Sequence, residues 1–138
     1  MPFSLEIRFV TRTEEKLGRK LPLSYVAMMC RANGGELSIG PDIWWLYPIF
    51  DDSDQKRLKR TCNDIVRETE SAQKWPGFPA DAVAIGHNGS GDQLIFLGQM
   101  DGDRYGNSVY WWDHETDELT KVAGDFDELE SRNDNTHK

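Results

Sequence analysis

Four short apolar runs between residues 82 and 123, separated by turn-rich links, constrain this chain more than any other feature in it. The runs are AVAIG (82–86), QLIFL (93–97), SVYWW (108–112) and LTKVA (119–123). The links read HNGSGD, GQMDGDRYGN and DHETDE, rich in Gly, Asn and Asp and of hairpin length. Consecutive strands joined by hairpins lie antiparallel, since a parallel pair needs a longer crossover. The stretch therefore predicts an antiparallel meander.

The rest of the chain supplies helices to cover that sheet. FSLEIRF (3–9) alternates apolar and polar residues and predicts a short strand. Thr11 and Glu14 have the spacing of a capping box for a helix ending at Gly18. Leu21-Pro22 predicts the start of a second helix, with Pro22 at its first position and Tyr25, Val26, Met29 and Ala32 on its apolar face. Asn33-Gly34-Gly35 predicts its end. Segment 36–49 reads as a strand pair broken at Gly40-Pro41. One longer helix, 54–74, is expected next, capped by Asp52 with Gln55 and packed through Leu58, Cys62, Ile65, Val66 and Ala72. Asp125 and Glu128 predict the cap of a last helix carrying Phe126 and Leu129. The expected class is α+β, with helices packed on one side of an antiparallel sheet.

At 138 residues the chain fits one domain with a core that needs no disulfide or metal. Residues 1–130 are expected to form it, and 131–138 read as a polar, frayed tail. Cys30 and Cys62 are widely spaced and fall in predicted helices, which suits reduced thiols. The first twenty residues lack the apolar stretch of a secretory signal, and no window approaches the about 18 apolar residues of a membrane span. A cytoplasmic location is expected. Net charge is −8, and residues 101–138 hold 11 acidic against 4 basic groups. Such a balance disfavours nucleic acid and anionic membranes as partners and suits a basic protein.

The motifs that invite a chemical reading do not sustain one. Gly86-His87-Asn88-Gly89-Ser90-Gly91 precedes a predicted strand, whereas a phosphate loop must open a helix. A tight turn closed by Asp92 accounts for it. Asp101-Gly102-Asp103 begins like a calcium loop, but Trp112 stands where the bidentate Glu is required. His87, His114 and His137 share no metal-ligand spacing with the cysteines, and Cys30 lies beside two methionines in an apolar stretch. No catalytic residue, metal or other cofactor is expected.

Three runs, EEKLGRKLPLSYVAMMCRANGG, AVAIGHNGSGDQLIFL and NSVYWWDHETDELTKVAGDFDEL, follow in an order and spacing that resemble the SUKH superfamily. That is the fold of the yeast cell-wall-assembly regulator and of many bacterial immunity proteins. The resemblance covers about residues 12–130, and its most specific parts are the Leu-Gly, Leu-Pro, Tyr, Asn-Gly-Gly series and the Ile-Gly … Gly-Ser-Gly-Asp series. The chain departs from it at the start, where the family usually has a helix. The resemblance implies a non-enzymatic α+β domain that binds and neutralises a cognate toxin, often a nuclease, delivered by a neighbouring cell. The alternative is an intracellular regulatory or scaffold protein of the same fold.

Adjacent strand residues face opposite sides, so Trp44-Trp45 and Trp111-Trp112 must each send one indole to each face. An outward indole ringed by acidic turns suits a basic partner surface. The expected partner-binding residues are the aromatics Trp44, Trp45, Trp111 and Trp112. With them stand the turn carboxylates Asp101, Asp103, Asp113, Glu115, Asp117 and Glu118.

Overall fold

The computed structural model describes residues 2–99 and 102–136. Two helices come first, α1 (Ile7–Leu17) and α2 (Leu23–Arg31), then the strands β1 (Gly35–Ile39) and β2 (Asp42–Leu46). Helices α3 (Gln55–Arg60) and α4 (Ile65–Ala72) follow, then β3 (Ala82–His87), β4 (Gln93–Leu97), β5 (Val109–Trp112) and β6 (Leu119–Ala123), and finally α5 (Phe126–Thr136). The six strands form one sheet in the order β1-β2-β3-β4-β5-β6, every neighbouring pair antiparallel. The class is α+β, and the meander lies where the four apolar runs place it.

The sheet is strongly curled. Trp44 on β2 and Trp111 on β5 are three strands apart, yet their rings meet edge-on with centroids 5.0 Å apart. Inside the curl, Tyr25 of α2 packs edge-on against both Phe96 and Phe126, each at 5.3 Å. Gly86 lies between Leu46 and Leu94 across the strands, and a Cβ there would come 2.9 Å from the Trp45 carbonyl oxygen. Close approach of β2 to β3 thus requires that glycine. At the ladder shift between Ala84 and Gly86, the buried Thr69 hydroxyl of α4 accepts the Ala84 N–H at 2.9 Å. Trp112 is covered by Phe78, from the segment after α4, with ring centroids 5.1 Å apart.

The opening of the chain is a helix, not a strand. Phe9, Val10 and Thr13 are buried along one face of α1, whereas Ile7, part of the apparent alternation, faces water. Residues 3–5 do run extended, but they bond to the end of α2: the Leu5 N–H donates to the Cys30 carbonyl and Phe3 accepts from the Asn33 N–H. Thr11 and Glu14 are not a capping box. The Thr11 hydroxyl donates back to the Ile7 carbonyl, and Glu14 accepts the N–H of Leu21. Gly18 ends α1 with a φ of 80°, as expected. Pro22 stands just before α2 rather than as its first residue.

The long helix expected over 54–74 is two helices. Thr61 breaks it, its hydroxyl donating to the Arg57 carbonyl and accepting the Asp51 N–H. Asp64 then caps α4 by accepting from the N–H groups of Val66 and Arg67. The cap of α3 is Asp54, two residues after the expected Asp52. Nothing on α3 is buried, so Leu58 and Cys62 are exposed, while Ile65 and Ala72 reach the core from α4. At the other end, Asp125 and Glu128 cap α5 as expected: Asp125 accepts the Glu128 N–H and Glu128 accepts the Gly124 N–H. The α5 helix continues to Thr136, through much of the stretch that reads as a polar tail.

Candidate functional site

Antiparallel order sets which loops can act together. The turns after β3 and β5 meet at one end of the sheet, because Gln93 pairs with both His87 and Trp112. The β4–β5 connection leaves from the opposite end. There Asp103 accepts the Lys20 N–H at 2.7 Å, and Lys20 accepts the Tyr105 N–H. Asp103 therefore stands apart from Asp113, Glu115, Asp117 and Glu118, which share the β5–β6 turn. Asp101 lies outside the described residues. The single acidic rim expected from the sequence is split between two ends of the sheet.

At the shared end, the buried Asp92 ties two turns together. One of its oxygens, Oδ1, lies 2.6 Å from His114 Nδ1 and accepts the His114 backbone N–H at 3.1 Å. The other accepts the Trp111 indole N–H at 2.9 Å. Asp92 takes a long 3.5 Å bond from the Asn88 side-chain amide within its own turn, and its shorter bonds clamp the β5–β6 turn onto the β3–β4 turn. Asp113 Oδ1 accepts the N–H groups of Glu115 and Thr116, which shapes the turn from within. Asp117 sits at φ 63° and donates its N–H to the Asp113 carbonyl. Glu115, Asp117 and Glu118 stay exposed on this rigid platform.

The tryptophans divide between core and surface, as alternation requires. Trp44 and Trp112 are 0% and 1% exposed and belong to the core. Trp111 is half-buried and held by Asp92. Trp45 is 40% exposed; its indole N–H donates to Glu36 and its ring leans on His87 with centroids 5.6 Å apart. His87 in turn stacks on Tyr47, at 5.3 Å. Burial raises the Tyr47 hydroxyl to about 12, against the opposing pull of its hydrogen bond to Gln93. Trp75 was not singled out from the sequence, since it sits among the Pro and Gly residues that end a helix. It is 51% exposed and meets the His114 ring edge-on at 5.7 Å.

A cleft of about 460 Å³ opens beside Trp45 and His87. The Asn33-Gly34-Gly35 turn forms its floor, and Phe3, Arg57 and Arg60 form its far wall. Arg57 and Arg60 flank the Phe3 ring at 4.3 and 4.9 Å. Arg57 also pairs with the buried Asp51 at 3.6 Å and with Asp54 at 2.6 Å. The cations of α3, which read as a solvated face, thus partly serve to hold the N-terminal segment down.

The Asp92–His114 pair gives the acidic end a pH signature. The hydrogen bond His114 donates to Asp92 raises the His114 pKa above 6.5, outweighing desolvation. Burial opposes the ionised form of Asp92, yet the bonds from His114 and Trp111 hold its pKa below 3.8. The His114 contribution is full below pH 6.5 and fades as pH rises through the raised folded pKa. The Asp92 contribution is full above 3.8 and fades as pH falls through its lowered pKa. Melting temperature should therefore fall for wild type, relative to His114→Gln, as pH rises above 6.5. Parallel pH profiles of the two proteins would show that the pair carries no such linkage.

A six-stranded curled antiparallel sheet bearing helices defines a small α+β domain. The chain belongs to the SMI1 / KNR4 family (SUKH-1), whose sequence pattern matches residues 8–132. In broad terms this is a family of regulators and immunity proteins. No curated protein matches the chain. Among the described residues, no helix is long and apolar enough to cross a membrane.

Proposed function

We propose that this protein is a cytoplasmic immunity protein that binds a cognate toxin, a nuclease among the candidates, and neutralises it without catalysis. The observation that supports this reading, beside the family, is the acidic platform of the β5–β6 turn. Its carboxylates Glu115, Asp117 and Glu118 are exposed while Asp92, His114 and Asp113 fix the backbone beneath them. A preformed surface of one sign raises the association rate with a partner of the other sign and orients it. Nucleases carry basic substrate channels, because they must hold phosphates. An acidic platform occludes such a channel by occupying its phosphate-binding cations.

The test is co-expression with the toxic C-terminal domain of an exported protein encoded beside this chain's gene. Growth should be restored by the wild-type protein, and the two purified proteins should associate. The triple variant Glu115→Gln, Asp117→Asn, Glu118→Gln should slow association by about tenfold at low salt and flatten its salt dependence. A wild-type protein that neither restores growth nor binds would remove the toxin reading and leave that of a regulator.

A further inference from the structure

An exposed tryptophan borders the acidic platform. We infer that Trp75 is the apolar anchor of a docking surface for a basic protein toxin, an inference that rests on the reading above. Three observations place it there. Trp75 is 51% exposed, the most exposed aromatic side chain among the described residues. Its ring meets His114, the residue clamped by Asp92 at the base of the acidic turn. The segment that carries it abuts that turn two residues later, since a Cβ on Gly77 would fall 2.2 Å from Asp117 Cγ. Gly77 has a φ of 86° and lets the chain bend around the carboxylate.

The patch has the make-up of a binding hot spot. A tryptophan supplies large apolar area, and Glu115, 3.8 Å from His114 Nε2, and Asp117 stand at its rim. Charge complementarity selects the occupant: an indole among carboxylates suits a surface where lysine or arginine side chains surround an apolar pocket, and cation–π contact adds to the ion pairs. Trp45 is the competing exposed indole. Its N–H is engaged by Glu36 and its ring is set against His87, so it closes the cleft of its own domain. Beside the anchor, the exposed Lys74 is a cation that opposes a basic partner.

The experiment measures binding kinetics of the neighbouring toxin domain to the full chain and its variants at low and high salt. Trp75→Ala should raise the dissociation rate at least tenfold and leave the salt slope of association in place. Lys74→Gln should speed association, and Trp45→Ala should change dissociation less than threefold. Unchanged melting temperatures establish that each variant is folded. Trp75→Phe, which keeps most of the apolar ring, should raise the dissociation rate less than Trp75→Ala does; equal losses for the two would overturn the apolar anchor. If the wild type binds and Trp45→Ala, not Trp75→Ala, releases the toxin, the anchor is overturned while the toxin reading stands. If Trp75→Ala instead converts a wild-type dimer to a monomer without affecting toxin binding, the patch serves self-association and the inference fails. A wild type that binds no toxin overturns the reading itself.

Discussion

Replacing Trp44 with Ala should cost about 3–5 kcal/mol, whereas Trp45→Ala, one residue along the same strand, should cost about 1–2 kcal/mol. Trp44 is fully buried inside the curl, where its ring packs on Trp111 across three strands. Its removal leaves a cavity inside the curl, and neighbouring strands cannot collapse into it without unbending. Trp45 points outward and is 40% exposed, so its loss removes less buried area than that of Trp44 and leaves no enclosed cavity. The Trp44 indole N–H adds a second distinction, because it is buried with no hydrogen-bond partner among the described residues. Trp44→Phe discards that unpaired donor along with part of the ring, so it should cost well under half as much as Trp44→Ala. Urea unfolding of the three variants checks the set. Equal losses for Trp44→Ala and Trp45→Ala would contradict the assignment of these faces.

That contrast also shows what the sequence makes legible. Alternation alone says that one indole of each pair faces each way, and the structure agrees. It does not say which face is covered, since that depends on the curl of the sheet and on Phe78, brought onto Trp112 from a separate segment. The strands of the meander were legible because Gly, Asn and Asp punctuate them. The break between α3 and α4 was not, because apolar residues at Leu58, Cys62 and Ile65 continue a helical period through it. The interruption is made by Thr61 and Asp64, whose side chains satisfy backbone groups and so end one helix and start another.

The acidic residues illustrate a different limit. Counting places Asp103 and the 113–118 carboxylates in neighbouring links, but consecutive hairpins alternate between the two ends of a sheet. Sequence proximity therefore separates these groups in space, while Asp92 and His114, 22 positions apart, form a 2.6 Å contact. Trp75 joins the same end through a segment that pattern reading assigns only to a helix stop. The site is assembled by register, and register is a property of paired strands rather than of any one run.

The largest single polar effect is expected at Asn33. Its substitution by Ala should cost about 2–4 kcal/mol, because two buried backbone groups lose their partner at once. The Asn33 amide donates to the Ile49 carbonyl at 2.8 Å, and its oxygen accepts the Ile49 N–H at 2.8 Å. Ile49 itself is fully buried, so water cannot replace the lost bonds without entering the core. This two-pronged bond fixes the chain leaving β2 against the end of α2, at the turn where Gly34 adopts a φ of 104°. Asn33→Asp is the informative control. A carboxylate can accept the Ile49 N–H but cannot donate to the Ile49 carbonyl, and ionisation adds a buried charge. It should therefore be at least as destabilising as Ala at pH 7 and recover part of the loss at acid pH, where a protonated carboxyl regains a donor. Chemical denaturation at two pH values measures both. A loss below about 1 kcal/mol for Asn33→Ala would mean that the turn is held by its glycines and backbone alone.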